Sequence, residues 1–301
     1  MTENEFILSD RIAKIQSTIE EYGVDNFCIG FSGGKDSCVL SSIIDLAIPD
    51  NTIPRVYVNT GIDLNMVRDF VIDQCKEDNR IQIVHPYTNI KNVLEAEGYP
   101  FKSKEHSKKL SIYQRHMTAD GYDSVQRYLG IHPDGKKWSR QYCCPQKLTY
   151  QFSPEFDIKI SDKCCLRLKE DPMKKWRKEN NKPYVILGLM REEGGRRETA
   201  SCMRFKDGKF IAFQPLVVVT KDWEDWFIDE YNVKIPDLYY PPYNFWRTGC
   251  KGCPLSNNLQ RELDILEEFF PAERAQCEII WKPIYDEYRR IGYRLDTLDN
   301  T

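Results

Sequence analysis

The stretch from Phe27 to Leu40, FCIGFSGGKDSCVL, decides the fold that this sequence predicts. Its first five residues are mostly apolar and end at a turn signal, which is typical of a buried parallel strand. SGGKDS, residues 32–37, follows as a tight polar loop, and the apolar-rich run from Cys38 to Ala47 is long enough for a helix. A strand, a glycine loop and a helix in this order predict an anion-binding site, because free backbone N–H groups at a helix N-terminus point at the ligand.

The SGGKDS loop carries groups suited to phosphate. Gly33 and Gly34 allow a sharp turn and a close approach of the backbone to phosphate oxygens. Lys35 adds a cation, the two serines add hydroxyl donors, and Asp36 is suited to holding Mg²⁺ against the phosphates. The loop is not a Walker A motif, which has four residues between its first glycine and its Gly-Lys pair; an ordinary Gly-Ser turn is the alternative. The candidate phosphate-binding residues are Ser32, Gly33, Gly34, Lys35, Asp36 and Ser37.

Strands and helices alternate around this loop. Apolar residues at helical spacing predict a helix before the first strand, and further patterns predict strands at 55–59, 81–84 and 184–189 with helices at 66–75 and 90–97. Residues 210–213 and 216–219 are expected to form another strand or a hairpin, and a helix is expected at 222–231. This alternation predicts an α/β fold with a doubly wound, mostly parallel sheet that binds ligands at the carboxyl ends of its strands.

Polar residues follow two of these predicted strands. Thr60 and Gly61 lie in an Asn-Thr-Gly turn after the second strand, where a nucleotide would lie. Arg191, Arg196 and Arg197 follow the strand at 184–189, and a guanidinium binds phosphate through two parallel hydrogen bonds. All five are candidate nucleotide-binding residues, and a plain surface turn is the alternative at each place.

The chain of 301 residues is long enough for one or two domains. We expect residues 1–240 to form the nucleotide-binding domain, with a helical insertion at 100–147, and residues 241–301 to form a C-terminal extension. A net charge of −3 excludes binding of a polyanion by bulk charge. No apolar run reaches transmembrane length and the N-terminus lacks a signal-peptide pattern, so we expect no membrane partner and a cytoplasmic location.

The insertion at 100–147 is rich in lysine and arginine, with aromatic residues interleaved. Such a composition is suited to binding a nucleic acid or another polyanion. A solvated helical insertion explains the same pattern, and the sequence alone leaves both interpretations open.

Six of the eleven cysteines occur as close pairs: Cys143-Cys144, Cys164-Cys165 and Cys250-x-x-Cys253. An odd number in a chain of this size does not indicate a secreted disulfide scaffold, so metal ligation or redox chemistry is the better hypothesis. The glycine inside the C-x-x-C turn lets both thiolates face one metal. Spacing alone does not decide which other pair would complete four ligands.

Two motifs together resemble a known family. SGGKDS resembles the PP-loop of the ATP pyrophosphatase superfamily, and Cys164-Cys165-Leu166-Arg167 resembles the Cys-Cys segment of adenylyl-sulfate reductases. The chain is identified as similar to the phosphoadenylyl-sulfate (PAPS)/adenylyl-sulfate reductase family over most of residues 25–256. The resemblance implies an adenine nucleotide alpha hydrolase-like fold and a [4Fe-4S] cluster on Cys164, Cys165, Cys250 and Cys253. A four-cysteine zinc site remains the alternative.

The chain also departs from the reductases, because it lacks their C-terminal Glu-Cys-Gly-x-His segment. The complete SGGKDS resembles the ATP-using branch, which includes the ATP pyrophosphatase of DNA phosphorothioation. The resemblance implies adenylyl transfer from ATP with Mg²⁺, catalytic roles for Lys35, Asp36 and Arg191, and a sulfur donor that the sequence does not identify. A reductase that releases sulfite, with Cys143-Cys144 as a possible sulfur-carrying pair, and a non-catalytic sensor of nucleotide and cluster are the alternatives.

Overall fold

The structure, a computed structural model, describes residues 1–115, 119–131, 143–193 and 197–297. The chain forms two compact units, the first from residues 1–86 and 171–249 and the second from residues 87–170 and the segment after 249. The predicted division into 1–240 and 241–301 stays a prediction. None of the helices in the described ranges is both long enough and apolar enough to cross a membrane.

A six-stranded sheet forms the centre of the first unit. Its strands are β1 (Phe27–Gly30), β2 (Arg55–Val58), β3 (Ile81–Val84), β4 (Tyr184–Leu187), β5 (Met203–Lys206) and β6 (Lys209–Phe213). Their order is β3-β2-β1-β4-β6-β5, and all neighbouring pairs are parallel except β5 with β6. The predicted doubly wound, mostly parallel α/β sheet is therefore confirmed. The strand order reverses direction at β1, so the carboxyl ends of β1 and β4 flank the crevice where such folds bind ligands.

The helices follow the strands as the hydrophobic periodicity predicts. They are α1 (Glu3–Tyr22), α2 (Lys35–Ala47), α3 (Asn65–Glu77), α4 (Ile90–Glu97), α5 (Lys104–Arg115), α6 (Ala119–Tyr128), α7 (Asp171–Glu179), α8 (Lys221–Tyr231), α9 (Leu259–Phe269) and α10 (Pro271–Arg290). One prediction was partly wrong. Residues 209–213 pair with β5 through a turn at Asp207 and Gly208, which both have positive φ, and Pro215–Val218 is a short 3₁₀ helix instead of a strand.

Alternate residues of the strands pack on opposite faces of the sheet. Ile29 belongs to a large core that also contains apolar residues of α1, α2 and α8, whereas Cys28 packs in a smaller core beside Met173 and Trp176 of α7. Both Cys28 and Ile29 are fully buried, as the apolar run of β1 predicts. Helices therefore cover both faces of the sheet in the first unit.

The second unit contains the predicted insertion together with the last two helices. The insertion forms α5 and α6, as expected, and residues 132–142 lie outside the described part of the chain. An aromatic cluster joins its segments. Phe101 lies 4.6 Å from Tyr288 of α10 between ring centroids, and the backbone N–H of Lys102 donates to the Tyr288 hydroxyl at 2.7 Å. The insertion thus packs on the C-terminal helices within this unit.

Candidate functional site

The SGGKDS loop connects β1 to α2 and is held by its own serines. Helix α2 begins at Lys35 with Gly34 as its N-cap, so the loop includes the helix N-terminus as predicted. The Ser37 hydroxyl donates to the Gly34 carbonyl at 2.8 Å and accepts from the Ser32 backbone N–H at 3.2 Å. Gly33 has φ +71°, which side chains rarely adopt. The loop therefore keeps its turn through internal hydrogen bonds.

Two glycines allow close packing around this loop. A Cβ on Gly34 would lie 2.6 Å from the Thr248 hydroxyl, and a Cβ on Gly188 would lie 2.6 Å from the Asp36 carbonyl oxygen. Gly188 directly follows β4, the strand beside β1. Real Cβ atoms essentially never come this close, so both positions need glycine. The sequence pattern predicted Gly34 but gave no sign of the role of Gly188.

Tyr239 contacts the first amide of α2. Its hydroxyl accepts a hydrogen bond from the Lys35 backbone N–H at 3.1 Å and lies 2.7 Å from the Thr248 hydroxyl. Burial raises the pKa of Tyr239, so the phenol is neutral and can also donate. Neither Tyr239 nor Thr248 was predicted, because both lie in the proline-rich connector and the segment after it, where no motif marks them.

The Lys35 ammonium is paired with two carboxylates from α8. It lies 3.1 Å from a Glu224 oxygen and 2.8 Å from an Asp225 oxygen. Burial lowers the pKa of Lys35, but the two carboxylates outweigh that effect and the pKa is raised overall. Lys35 is therefore a cation at the loop, as predicted.

Glu224 is buried beside the loop, in an environment that opposes its charge. Its side chain is fully buried, and neither carboxylate oxygen has a partner in hydrogen-bond geometry. Burial raises the pKa of Glu224, the nearby Asp36 raises it further, and Lys35 partly offsets both. A carboxylate pair therefore lies at the N-terminal end of α2. The sequence reading missed Glu224 because it interpreted the predicted helix at 222–231 only through its aromatic residues.

The predicted arginines differ in their surroundings. Arg197 is half-buried, and burial together with the nearby Arg247 lowers its pKa to about 10, while Asp36 acts in the opposite direction. Arg197 and Arg247 are thus within electrostatic reach of the loop. Arg191 is exposed, and its Nε donates to the Ala200 carbonyl at 2.8 Å. Arg196 lies outside the described residues.

The Asn-Thr-Gly turn lies at the carboxyl end of β2, the other neighbour of β1. The Asp63 carboxylate accepts from the Thr60 backbone N–H at 3.1 Å and from the Thr60 hydroxyl at 2.8 Å. Gly61 has φ +75°, and no atom lies within 4 Å of a Cβ built there. Thr60 is therefore held by Asp63, and Gly61 leaves open space beside the turn.

The four predicted metal-ligating cysteines, Cys164, Cys165, Cys250 and Cys253, all belong to the second unit. We call them the four-cysteine group. A hydrogen bond with Cys165 raises the pKa of Cys164, as do burial and the charges of the other three thiols, so the sulfurs are within electrostatic reach of one another. The hydrogen bond from Cys164 and the cation of Lys104 lower the pKa of Cys165. Among the described residues, no three histidine, cysteine or acidic side chains are already arranged as metal ligands.

Helix α10 supports the C-x-x-C turn through buried contacts. The Lys251 ammonium lies 2.9 Å from a Glu273 oxygen, and both side chains are more than nine-tenths buried. The Trp281 indole donates to the Lys251 carbonyl at 3.0 Å, and the Tyr285 hydroxyl donates to the Gly252 carbonyl. Gly252 has φ +58°, which the tight turn requires. The backbone between the two cysteines is therefore fixed by the last helix.

A sequence model of the phosphoadenosine phosphosulfate reductase domain matches residues 26–292. The chain belongs to this family. The family resemblance seen in the sequence motifs is thereby confirmed, and it places the chain among enzymes of sulfur-related nucleotide chemistry. A comparison with curated proteins found no significant match.

Several solved structures resemble this PAPS reductase-family chain weakly. PAPS reductase from Candida auris is 11% identical, with 75% of this chain and 88% of that chain covered and a TM-score of 0.39. The U34-tRNA thiolase NcsA from Methanococcus maripaludis, with its [4Fe-4S] cluster, is 14% identical, with 99% and 83% covered and a TM-score of 0.40. An NH3-dependent NAD synthetase from Campylobacter jejuni is 12% identical, with 99% and 100% covered and a TM-score of 0.41. These scores support no inference about ligands or residue roles.

The remaining cysteine pair of this family member lies apart from any recognised motif. Burial raises the pKa of Cys144 to about 11, and the Cys143 thiol contacts the Arg127 carbonyl at 3.8 Å. All eleven cysteines lie in the described ranges, and none forms a disulfide. A sulfur-carrying role for Cys143 and Cys144 stays a prediction.

Proposed function

We propose that this PAPS reductase-family protein uses ATP to adenylate an acceptor in sulfur-transfer chemistry, with release of pyrophosphate. The observation that carries the proposal is the complete SGGKDS loop at the N-terminus of α2, with the Lys35 cation beside it. Helix N-termini with glycine turns bind phosphate through backbone N–H groups. A loop built for pyrophosphate suits ATP better than a nucleotide that carries sulfate.

Within this proposal, residues of the loop bind and stabilise the leaving pyrophosphate. The backbone N–H groups of Gly33 and Asp36 and the hydroxyl of Ser32 would donate to its oxygens, and the Lys35 ammonium would neutralise the developing charge. Asp36 would hold Mg²⁺, which supplies further charge neutralisation when it is bound. The Glu224 carboxyl group lies near Asp36 and would offer a hard cation the oxygen ligands that it prefers.

The other candidate residues would orient the nucleotide and the acceptor. Arg197 near Asp36 would bind a phosphate or an anionic acceptor, and Arg191 and Arg196 are proposed for the same role. Thr60 and Gly61 would line the adenine nucleotide at the end of β2, where the open space beside Gly61 leaves room for it. The acceptor is not identified. We propose a nucleic acid, bound through the insertion at 100–147, as a candidate acceptor. We also propose a cytoplasmic location for the protein.

We further propose that the four-cysteine group holds a [4Fe-4S] cluster, with four-cysteine zinc as the alternative. The donor set fits, because four thiols of one unit lie within electrostatic reach of one another and the pKa of Cys165 is lowered. Protein purified without oxygen should be brown, and Cys253→Ser should lose more than about 100-fold in metal affinity. Cys75→Ser, a change to a partly exposed thiol of the first unit, is the matched control and should keep the colour. Colourless protein with stoichiometric zinc would overturn the cluster.

The products of ATP turnover test the main proposal. Protein prepared without oxygen and supplied with Mg²⁺ and ATP should release pyrophosphate, together with an equal amount of AMP where water takes the place of the acceptor and attacks the α-phosphate, and Lys35→Ala should lose this activity. Formation of ADP and phosphate would contradict the proposal. Sulfite release from PAPS or adenylyl sulfate would favour a true reductase, the second candidate, which the matched family supports. Tight ATP binding without any turnover would favour a nucleotide and cluster sensor.

A further inference from the structure

We propose that Glu224 and Asp36 together form the protein part of a divalent-cation site at the SGGKDS loop. The inference rests on the proposed function, because it assumes that the loop binds nucleotide phosphates. The family motif points to Asp36, whereas Glu224 lies almost 190 positions later in the chain, on α8. Its assignment comes from the structure alone.

The Glu224 carboxyl group is buried in an environment that opposes its charge. The side chain is fully buried, one oxygen lies 3.1 Å from the Lys35 ammonium outside ideal hydrogen-bond geometry, and Asp36 lies close enough to raise the pKa of Glu224. Buried polar groups in folded proteins are nearly always hydrogen-bonded, and an unsatisfied buried carboxylate is costly. Protonation, which the raised pKa of Glu224 favours, offsets this cost in the free protein, and a bound cation would offset it for the charged carboxylate.

A simple counter-ion role for Lys35 does not account for Glu224. The Lys35 ammonium lies 3.1 Å from Glu224 but makes its shorter contact, at 2.8 Å, with Asp225. Glu224 also lies close enough to Asp36 for the charge of Asp36 to raise the pKa of Glu224. One ammonium thus serves Glu224 and Asp225, while Asp36 and Glu224 remain two neighbouring carboxylates.

The charge balance changes when a nucleotide binds. Before binding, the Lys35 ammonium faces Glu224 and Asp225, and Asp36 lies close enough to Glu224 to raise the pKa of Glu224. A bound polyphosphate adds several negative charges beside the two carboxylates near the N-terminus of α2. It also attracts Lys35, which would then leave Glu224 without a counter-ion.

A divalent cation would neutralise both the added phosphate charge and the Glu224 carboxylate. Mg²⁺ prefers oxygen ligands and is commonly bound by one or two carboxylates together with phosphate oxygens. Asp36 and Glu224 supply two carboxylates at the loop, and the nucleotide supplies the remaining charged oxygens.

The experiment measures binding and does not depend on turnover. The affinity of a non-hydrolysable ATP analogue is measured by titration calorimetry with Mg²⁺ and with a chelator, and bound Mn²⁺ is followed by electron paramagnetic resonance. In the wild-type protein, Mg²⁺ should tighten nucleotide binding by at least about tenfold. Glu224→Gln, which keeps the shape but removes the charge, should lose most of this dependence and should lose the Mn²⁺ bound with the nucleotide.

Asp225→Asn is the matched control, because Asp225 also pairs with Lys35 but is mostly exposed. It should keep the dependence on Mg²⁺. If Glu224→Gln fails to fold, Glu224→Asp tests the same point, because it keeps the charge but withdraws the carboxylate and should weaken Mn²⁺ binding. An unchanged dependence on Mg²⁺ in the Glu224 variants would overturn this inference alone. A wild-type protein that binds no adenine nucleotide would instead overturn the proposed function on which the inference rests.

Discussion

The SGGKDS loop and the four-cysteine group are prepared for their ligands to different degrees. In the loop, serine hydroxyls hold the turn and the Tyr239 hydroxyl contacts the Lys35 amide, so the backbone is already shaped. In the four-cysteine group, the thiols lie within electrostatic reach of one another, yet no three of the described side chains are arranged as metal ligands. Both regions were expected to bind charged groups, and in both the backbone is held by buried hydrogen bonds, but the donors of the loop are backbone N–H groups whereas those of the four-cysteine group are thiols.

The difference follows from the donors. Backbone N–H groups are neutral dipoles that ordinary secondary structure fixes in place, so a phosphate site can form without phosphate. A hydrogen bond with Cys165 and burial raise the pKa of Cys164, burial raises the pKa of Cys253, and repulsion from the neighbouring thiolates adds to both shifts. A thiolate site is therefore completed only when a cation is bound, because metal binding and thiol deprotonation are coupled. The scaffold around the cysteines then has to supply rigidity.

Removing the buried ion pair between Lys251 and Glu273 at the C-x-x-C turn should have the largest effect on stability and on metal binding by the four-cysteine group. Lys251→Met removes the cation that lies 2.9 Å from the buried Glu273 carboxylate and should cost about 3–5 kcal/mol of stability. Urea unfolding and metal content measure the change, and nucleotide binding should suffer less than metal binding. The double variant Lys251→Met, Glu273→Gln should recover part of the loss. Unchanged stability and metal content in the single variant would show that the turn does not depend on this pair.

Acid should weaken the cysteine-bearing unit through His106. Burial lowers the pKa of His106 to about 4 from 6.5, and its ring nitrogens contact the Tyr128 hydroxyl and Gln151. Below pH 6.5 the unfolded chain binds a proton that the folded chain excludes. The stability is therefore complete above pH 6.5 and falls by about 3 kcal/mol as the pH drops to 4.

Urea unfolding of the wild type and of His106→Gln between pH 7 and pH 4.5 measures this effect. The variant should show a shallower loss of stability with acid than the wild type. Equal slopes for both proteins would mean that His106 titrates normally. A shallower loss of stability in His106→Gln would assign an acid-labile element to the unit that carries the four-cysteine group.

A methyl group at position 188, against the first turn of α2, should disturb the conformation of the SGGKDS loop. Gly188→Ala places a Cβ against the Asp36 backbone and should cost about 1–3 kcal/mol, because the first turn of α2 must shift. Nucleotide affinity should fall together with stability. Gly249→Ala is the control, because no atom lies within 4 Å of a Cβ there. Wild-type ATP affinity in Gly188→Ala would show that the loop tolerates movement and is not arranged in advance.

Removing the charge of Asp225, the exposed partner of Lys35, should have the smallest effect on stability. Asp225→Asn removes a mostly exposed ion pair and should change stability by less than about 1 kcal/mol. Thermal unfolding at low and high salt measures the effect, which should shrink further at high salt. A larger loss would mean that Asp225, and not Glu224, is the main counter-ion of Lys35 in the folded protein.

Local patterns predicted much of the fold. The strand, loop and helix from Phe27 to Ala47 are confirmed, because apolar periodicity and glycine turns act over a few residues. The hairpin at Asp207 and Gly208 was missed although an Asp-Gly turn is a strong local signal. The strand expected at 216–219 was wrong because Pro215 begins a 3₁₀ helix.

The neighbours of the loop were not predictable in the same way. Glu224 lies between Trp223 and Asp225 on a helix whose aromatic residues dominate its pattern, and only the packing of α8 in the sheet's core brings it to Lys35. Tyr239 and Gly188 reach the loop through strand order and connector geometry. Such contacts depend on the three-dimensional arrangement, which sequence spacing does not contain.

The affinity of the protein prepared without oxygen for ATP with Mg²⁺, compared with its affinities for adenylyl sulfate and PAPS, decides which nucleotide the SGGKDS loop binds. We expect ATP with Mg²⁺ to bind at least about tenfold more tightly, a difference of about 1.4 kcal/mol. Tighter binding of either sulfated nucleotide would contradict the assignment of the SGGKDS loop as a pyrophosphate site.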